Sequence, residues 1–422
     1  MSSLVLKNGL VVDPSQNLHA VKDVKIVDGV IAEIGSGLSA EEELDVTGLA
    51  VMPGLVDMHI HLRDPGLTHK EDILTGCSAA AAGGVTSVVC MPNTKPVTDS
   101  VEVVTYILEK AKQAKAKVYP TAAITKGLAG GEMTDFAALK AAGAVAVSDD
   151  GRPVENAAMM QAALEEAERC GLLVTSHCED LDIINGGIIN KGAVSQKLGV
   201  KGMDRSSEDS ITAREIALAE ATGTAVHIAH VSTKGSVAII RDAKARGARV
   251  TAETAPHYFM LTDELLLKQD ADYRMNPPLR EEEDRLAVLQ GVLDGTLDCI
   301  VTDHAPHTAQ EKADFKTAPN GVVGLETSFA ASMTALVHTG KMTLDELVKR
   351  MSLNPAKLLH IPAGTLCPGA AADIAVADLS KRWTVLPEKL HSKSHNSVFK
   401  GMEFCGKIKY TFLNGTLVYE DQ

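Results

Sequence analysis

Val56-Asp57-Met58-His59-Ile60-His61-Leu62-Arg63 is the stretch on which the reading of this chain turns. Its apolar run reads as a buried strand that ends in two histidines one residue apart. Side chains alternate faces along a strand, so positions i and i+2 point the same way. His59 and His61 therefore aim two imidazoles at one point, as a metal site requires. The pair alone reads equally well as a satisfied strand end. What tips the balance is a series of further His and Asp residues at strand ends over the following 250 or so positions.

Working outward, strands are predicted at 55–61, 85–91, 117–124, 144–149, 172–177, 225–230, 249–254 and 298–302. Helical stretches lie between them, among them VENAAMMQAALEEAERCG (154–171) and SVAIIRDAKARG (236–247), whose apolar residues recur at helical spacing. Eight β/α units in about 300 residues predict a TIM (β/α)8 barrel. The rival is a doubly wound open sheet. It is disfavoured because no G-x-G-x-x-G follows the first strand and because His and Asp residues end many different strands, which only a barrel gathers on one face. Residues 1–52 and 364–422 are β-rich, with Asn8-Gly9, Asp28-Gly29 and Asn414-Gly415 as hairpin signals. Together they predict a small β-sandwich built from both ends of the chain, flanking a barrel at 53–363.

The 422 residues are 45% hydrophobic but only 3% aromatic, so Ala, Val, Leu and Ile must fill the core. A net charge of −14 with no basic patch argues against a nucleic-acid partner. Seven cysteines without a C-x-x-C spacing argue against a disulfide framework and for a reducing, cytoplasmic setting. No apolar run reaches transmembrane length, and the N-terminus lacks signal-peptide features, so no membrane partner is expected.

The candidate ligands then fall into place. Strand one supplies His59 and His61, strand four ends in Ser148-Asp149-Asp150-Gly151, strand five in His177, strand six in His230 and strand eight in Asp303-His304-Ala305-Pro306-His307. Imidazole with carboxylate suits Zn²⁺. Four histidines and two aspartates exceed what one tetrahedral ion uses and suit two ions bridged by a carboxylate, with one ion as the lesser expectation. Each residue has a plainer reading: a buried His bonded to a carbonyl, an Asp-Gly turn at 150–151, a helix cap at Asp303. Five strands losing apolar character at the same end is what packing does not explain. His19, His69, His227, His257, His304, His338, His360, His391 and His395 are assigned to packing or surface, His257 with least ground because it follows strand seven on the same rim.

These residues resemble the amidohydrolase superfamily, and more closely the bacterial type I dihydroorotases. The matching segments are PGLVDMHIHLRDPG (53–66), GCSAAAAGGVTSVVCMPNTKP (76–96), SDDGRPV (148–154), TSHCED (175–180), HIAHVST (227–233), MNPPLR (275–280), TDHAPH (302–307) and GLET (324–327). The resemblance implies that His59 and His61 hold one zinc and His177 and His230 the other, that Asp150 bridges them and that Asp303 completes the first site. Many relatives bridge with a carboxylated lysine on strand four; here the nearest lysine is Lys140, upstream of that strand. This points to the aspartate-bridged subgroup and away from hydantoinases. The implied activity is the interconversion of N-carbamoyl-L-aspartate and L-dihydroorotate in pyrimidine synthesis, with Asp303 as acid/base. Arg63, just past the metal histidines, suits the spectator carboxylate of such a substrate through its planar fork. Asn93, Asn276 and His307 are expected to add substrate contacts. So are His61 and the Asn320-Gly321 backbone, although many relatives carry Phe where Asn320 stands. The stretch 308–318 reads as either a mobile cover or a surface loop. The alternatives are another cyclic amidase, such as a hydantoinase or allantoinase, and a catalytically silent homologue that serves aspartate carbamoyltransferase as a scaffold. A homodimer is the base-rate expectation.

Overall fold

The computed structural model describes residues 3–421. The chain opens with five strands, β1 (Ser3–Asp13), β2 (Leu18–Val27), β3 (Val30–Gly35), β4 (Glu42–Asp45) and β5 (Ala50–Pro53). Five barrel strands follow: β6 (Leu55–Ile60), β7 (Val85–Cys90), β8 (Lys117–Ala122), β9 (Ala146–Val147) and β10 (Leu173–Ser176). A two-stranded excursion, β11 (Ile189–Asn190) with β12 (Gly202–Met203), precedes the last three barrel strands, β13 (Val226–Ile228), β14 (Val250–Thr254) and β15 (Cys299–Ile300). The chain closes with β16 (Ile374–Thr384), β17 (Glu403–Leu413) and β18 (Thr416–Glu420).

The eight central strands are parallel and pair in chain order from β6 to β15. The seam between first and last is closed by a parallel bridge, Ile60 to His304, where the His61 N–H donates to the His304 carbonyl at 2.8 Å. All eight strands expected from sequence are present, and the TIM barrel is the observed architecture. Helices cover the outside. In the helix Ala157–Cys170, Met160, Ala163, Leu164 and Ala167 are buried, the i, i+3, i+4, i+7 stripe that its sequence announces. The Asn156 side chain caps its first turn and Gly171, at φ 66°, ends it.

The terminal segments pair into one β module, in the order β18-β17-β16-β5-β1-β2-β3 with β4 alongside β1. Leu6, Val11, Val24, Ile26, Ile31, Val51, Ile374, Val376 and Phe412 give it an apolar core of its own. Asp28-Gly29 and Asn414-Gly415 do make the expected turns, each residue at positive φ. Asn8-Gly9 does not. It lies inside β1, where the register against β2 slips between Leu6 and Gly9, and Asn8 sits at φ 59°. An Asn-Gly pair supplies the same positive φ to a bulge as to a turn, and here the strand runs on through it. Between β16 and β17 the chain leaves the sheet. Val385, Val398 and Phe399 pack into the barrel's core cluster, so this segment reaches the barrel rim.

Candidate active site and metal centre

The fold carries the side chains named from sequence to one end of the barrel. His59 and His61 project from the end of β6, Asp150 from the turn after β9, His177 just past β10, His230 past β13 and Asp303 past β15. All six are buried. Asp150 sits at their centre. Its Oδ1 lies 3.4 Å from His59 Nε2, 3.5 Å from His177 Nδ1 and 3.7 Å from His230 Nε2, while Oδ2 lies 3.6 Å from His61 Nε2. Asp303 Oδ1 is 3.1 Å from His61 Nε2 and 3.8 Å from His59 Nε2.

These separations are the edges expected of a coordination polyhedron. Four donors about 2.1 Å from a tetrahedral ion lie about 3.4 Å from one another. Two groups of donors gather around shared points, His59–His61–Asp150 and Asp150–His177–His230, and they share Asp150; within the second, His177 Nδ1 and His230 Nε2 are in hydrogen-bond contact at 2.8 Å. The buried Nε2 of His59 has no hydrogen-bond partner, as a ligand nitrogen awaiting a cation would not. A further acidic group, Glu281–Glu283–Asp284, is paired with Arg205 and Lys234 instead.

The electrostatics agree. Burial opposes ionisation of Asp150, but the imidazoles of His177, His230 and His59 gathered around it outweigh burial and hold the carboxyl well below its ordinary range. Asp303 is likewise held low against burial, chiefly by His61. Burial also opposes charge on His177, and Asp150 and Glu179 outweigh it, lifting the imidazole to about 10. The pocket therefore carries negative potential and favours positive charge at the imidazole nitrogens.

Three of the four outward ring nitrogens are oriented by a neighbour, whereas His230 Nδ1 is buried without a hydrogen-bond partner among the described residues. His61 Nδ1 meets Asn93 Oδ1 at 2.8 Å, and the same amide donates to Asp150 Oδ2 at 3.3 Å. His177 Nε2 meets Glu179 Oε2 at 3.2 Å, and Asn276 donates to Glu179 Oε1 at 2.9 Å. His59 Nδ1 meets Glu253 Oε1 at 2.6 Å. Asn93 and Asn276, expected to touch substrate, sit in the hydrogen-bond network that supports the histidines.

Arg63 is buried, at φ 60°, just beyond His61. The salt bridge to Asp64 that would make it merely structural is not formed: Asp64 pairs with Lys110 at 2.5 Å and accepts from Tyr106 at 2.9 Å. Arg63 Nε donates to the Pro306 carbonyl, and Nη2 lies 3.2 Å from His307 Nε2. That His307 nitrogen is also 2.9 Å from the Asn320 carbonyl, while Nδ1 faces Lys70 Nζ at 3.2 Å. Lys70 can only donate, so Nδ1 accepts and Nε2 carries the proton toward Asn320. Arg63 Nη2 then has no acceptor in His307. Burial pushes its guanidinium down to about 10, which still leaves it charged.

The Asn320 side chain points to Arg274, with Oδ1 3.1 Å from Nη2, and only its backbone turns toward His307. At Gly321, φ is 143°, and a Cβ there would meet the Ala305 carbonyl at 2.6 Å, so glycine is required. Lys140 is exposed and donates to the Gly171 carbonyl, outside the site. The residues that sequence reasoning missed are Glu253, Glu179, Lys70 and Asn396. Asn396 accepts from the His307 N–H at 3.1 Å and donates to the Gly321 carbonyl at 2.9 Å. Glu253 had a signal, an acid inside an apolar strand; Asn396, some 90 residues from the motif it supports, had none.

The chain is 51% identical over 99% of its length, and all of the relative's, to a protein named "Dihydroorotase" from Geobacter metallireducens. This chain belongs to the dihydroorotase family. A second relative of that name, from a Geobacter species (strain M21), is 52% identical over 99% of both chains. The Dihydro-orotase-like family profile matches residues 48–236, which hold the first six barrel strands. Among solved structures, the L-hydantoinase (dihydropyrimidinase) of Arthrobacter aurescens superposes with a TM-score of 0.90 at 26% identity, covering 100% of this chain and 96% of its own. Dihydroorotases and hydantoinases thus share this barrel, and the chain is a metal-dependent cyclic amide hydrolase by family. No helix among the described residues is long and apolar enough to cross a membrane.

Proposed function

We propose that this protein interconverts L-dihydroorotate and N-carbamoyl-L-aspartate, a step of pyrimidine biosynthesis. The observation that carries the reading is a carboxylate-centred cluster of four histidines beside Arg63, a buried guanidinium without a carboxylate partner among the described residues. His59, His61, Asp150 and Asp303 would hold one cation and Asp150, His177 and His230 a second. Zinc is our assignment from the imidazole and carboxylate donors, with a single ion as the alternative stoichiometry. When bound, the cations supply Lewis acidity at the amide carbonyl and make hydroxide available near neutral pH.

The chain's own groups do the rest. Asp303 lies against the cluster, where it takes the proton of the attacking water and passes it to the departing ring nitrogen; in the reverse direction it accepts that nitrogen's proton. Arg63 grips the substrate carboxylate that takes no part in bond breaking. We assign His307, with its tautomer set by Lys70, and the Asn320-Gly321 backbone to the substrate on the Arg63 side, and Asn93, Asn276 and His61 as its further contacts. In this division of labour residues 53–363 are the catalytic barrel, and 1–52 with 364–422 the β-sandwich. We place the protein in the cytoplasm, as seven free cysteines favour a reducing compartment, and assign it as a homodimer that can associate with aspartate carbamoyltransferase.

Hydantoin turnover is the second reading, favoured by the barrel's likeness to hydantoinases and disfavoured by Lys140 lying outside the site. Purified protein should prefer dihydroorotate to hydantoin by at least about 100-fold in kcat/KM, since hydantoin leaves a buried guanidinium unpaired. Comparable turnover of both would reject the assignment. No turnover of either would favour a silent scaffold.

A further inference from the structure

Glu253 lies on β14, the seventh barrel strand, wholly buried beneath the candidate metal centre. Both of its oxygens are committed. Oε1 is 2.6 Å from His59 Nδ1 and Oε2 is 3.2 Å from His227 Nε2; the far nitrogen of His227 meets Thr251 Oγ1 at 2.8 Å. No lysine or arginine pairs with this carboxylate among the described residues, so its charge is balanced by imidazoles alone. A buried acid in that setting is costly unless its hydrogen bonds are complete, and these two complete it. His227, which sequence reasoning left to packing, acts here as the brace that stops the carboxylate rotating.

We infer that Glu253, braced by His227, is a positioning residue that fixes the proton of His59 on Nδ1 and so presents the Nε2 lone pair to a cation beside Asp150. The inference deepens the proposed function and rests on His59 being a ligand. Its geometric ground is the pair of contacts on opposite sides of one ring: Nδ1 to Glu253 at 2.6 Å, and Nε2, lacking a hydrogen-bond partner, 3.4 Å from Asp150 Oδ1. Of the two histidines in the His59-Ile60-His61 run, only His59 is held by a carboxylate; His61 is oriented by a neutral amide, Asn93. A carboxylate accepting from the outer nitrogen raises the basicity of the ligating one, and loss of such a partner weakens metal binding about 10–100-fold.

The test is Glu253→Gln, read in two ways. Zinc affinity, measured by chelator competition on the folded protein, should fall about 10–100-fold, with circular dichroism unchanged. In metal-free wild type, the His59 Nδ1 proton should give a low-field NMR resonance that is absent from both Glu253→Gln and His59→Gln. An affinity within twofold of wild type, or no such resonance in wild type, overturns the inference. If Glu253→Gln does not fold, the wild-type resonance alone decides. If wild type binds no cation, the ligand reading of His59 fails, while the resonance still reports on the Glu253 contact.

Discussion

At the scale of single residues, function depends on which groups are left without structural employment. Asp303 is buried, held in its charged form against burial, and its Oδ1 touches both histidines of β6. Asp303→Asn keeps an oxygen donor and loses the proton acceptor. It should retain metal and fold while kcat drops about 10²–10⁴-fold. Turnover near wild type would remove Asp303 from acid/base duty. Arg63 is the other unemployed group, because Asp64 is occupied by Lys110 and Tyr106. Arg63→Met should raise KM for dihydroorotate far more than for an uncharged cyclic imide, by roughly 100-fold against a few-fold. Equal losses for both substrates would reject the carboxylate clamp. The ligand-type residues were legible in sequence because each interrupts an apolar strand at its end. Their orienting partners were less so: a Glu or Asn reads alike whether it faces a histidine or water.

At the scale of elements, the segment 308–318 shows what sequence left open. Its polar composition fits a lid or a plain loop, yet Lys312 is buried and its Nζ donates to the carbonyls of Ala271, Arg274 and Pro319 at 2.9–3.1 Å. Glu311 adds a bridge to Lys70 at 2.9 Å. The segment is thereby tied to the wall that carries Asn320 and Gly321. Three carbonyls suit an ammonium, but burial prevails and pushes the Lys312 amine down to about 7 from 10.5. Between those values the unfolded chain binds a proton that the folded chain does not. Stability should therefore rise with pH across about 7 to 10.5, by up to about 1.4 kcal/mol per unit from this one group, and gain nothing from it below pH 7. The difference in denaturation free energy between wild type and Lys312→Met, taken at pH 7 and pH 9.5, should show that slope, since the other lysines cancel. A difference independent of pH would mean that Lys312 stays charged in the fold. The main elements were readable because period-2 and period-3.6 patterns are strong here. Asn8-Gly9 misled because the local preference for positive φ is the same in a bulge and a hairpin.

At the scale of the whole molecule, the barrel makes the site by bringing five strand ends to one rim, and the two chain ends support it from outside. β5 pairs with both β1 and β16, which ties the first and last segments into one module. The excursion between β16 and β17 sends Asn396 back to His307 and Gly321, and Ser392 and Lys393 to Glu71, so a segment far from the motifs braces His307 and Gly321. That return was invisible in sequence, for SHNS carries no periodicity and no motif. The central claim is that residues from five strands converge to hold cations without which the reaction does not proceed. Its most direct test is dihydroorotate turnover measured while metal-free protein is titrated with zinc. Turnover should be absent at zero occupancy and climb in proportion to bound metal until the site fills. Undiminished turnover in protein shown by elemental analysis to hold no metal would contradict the account.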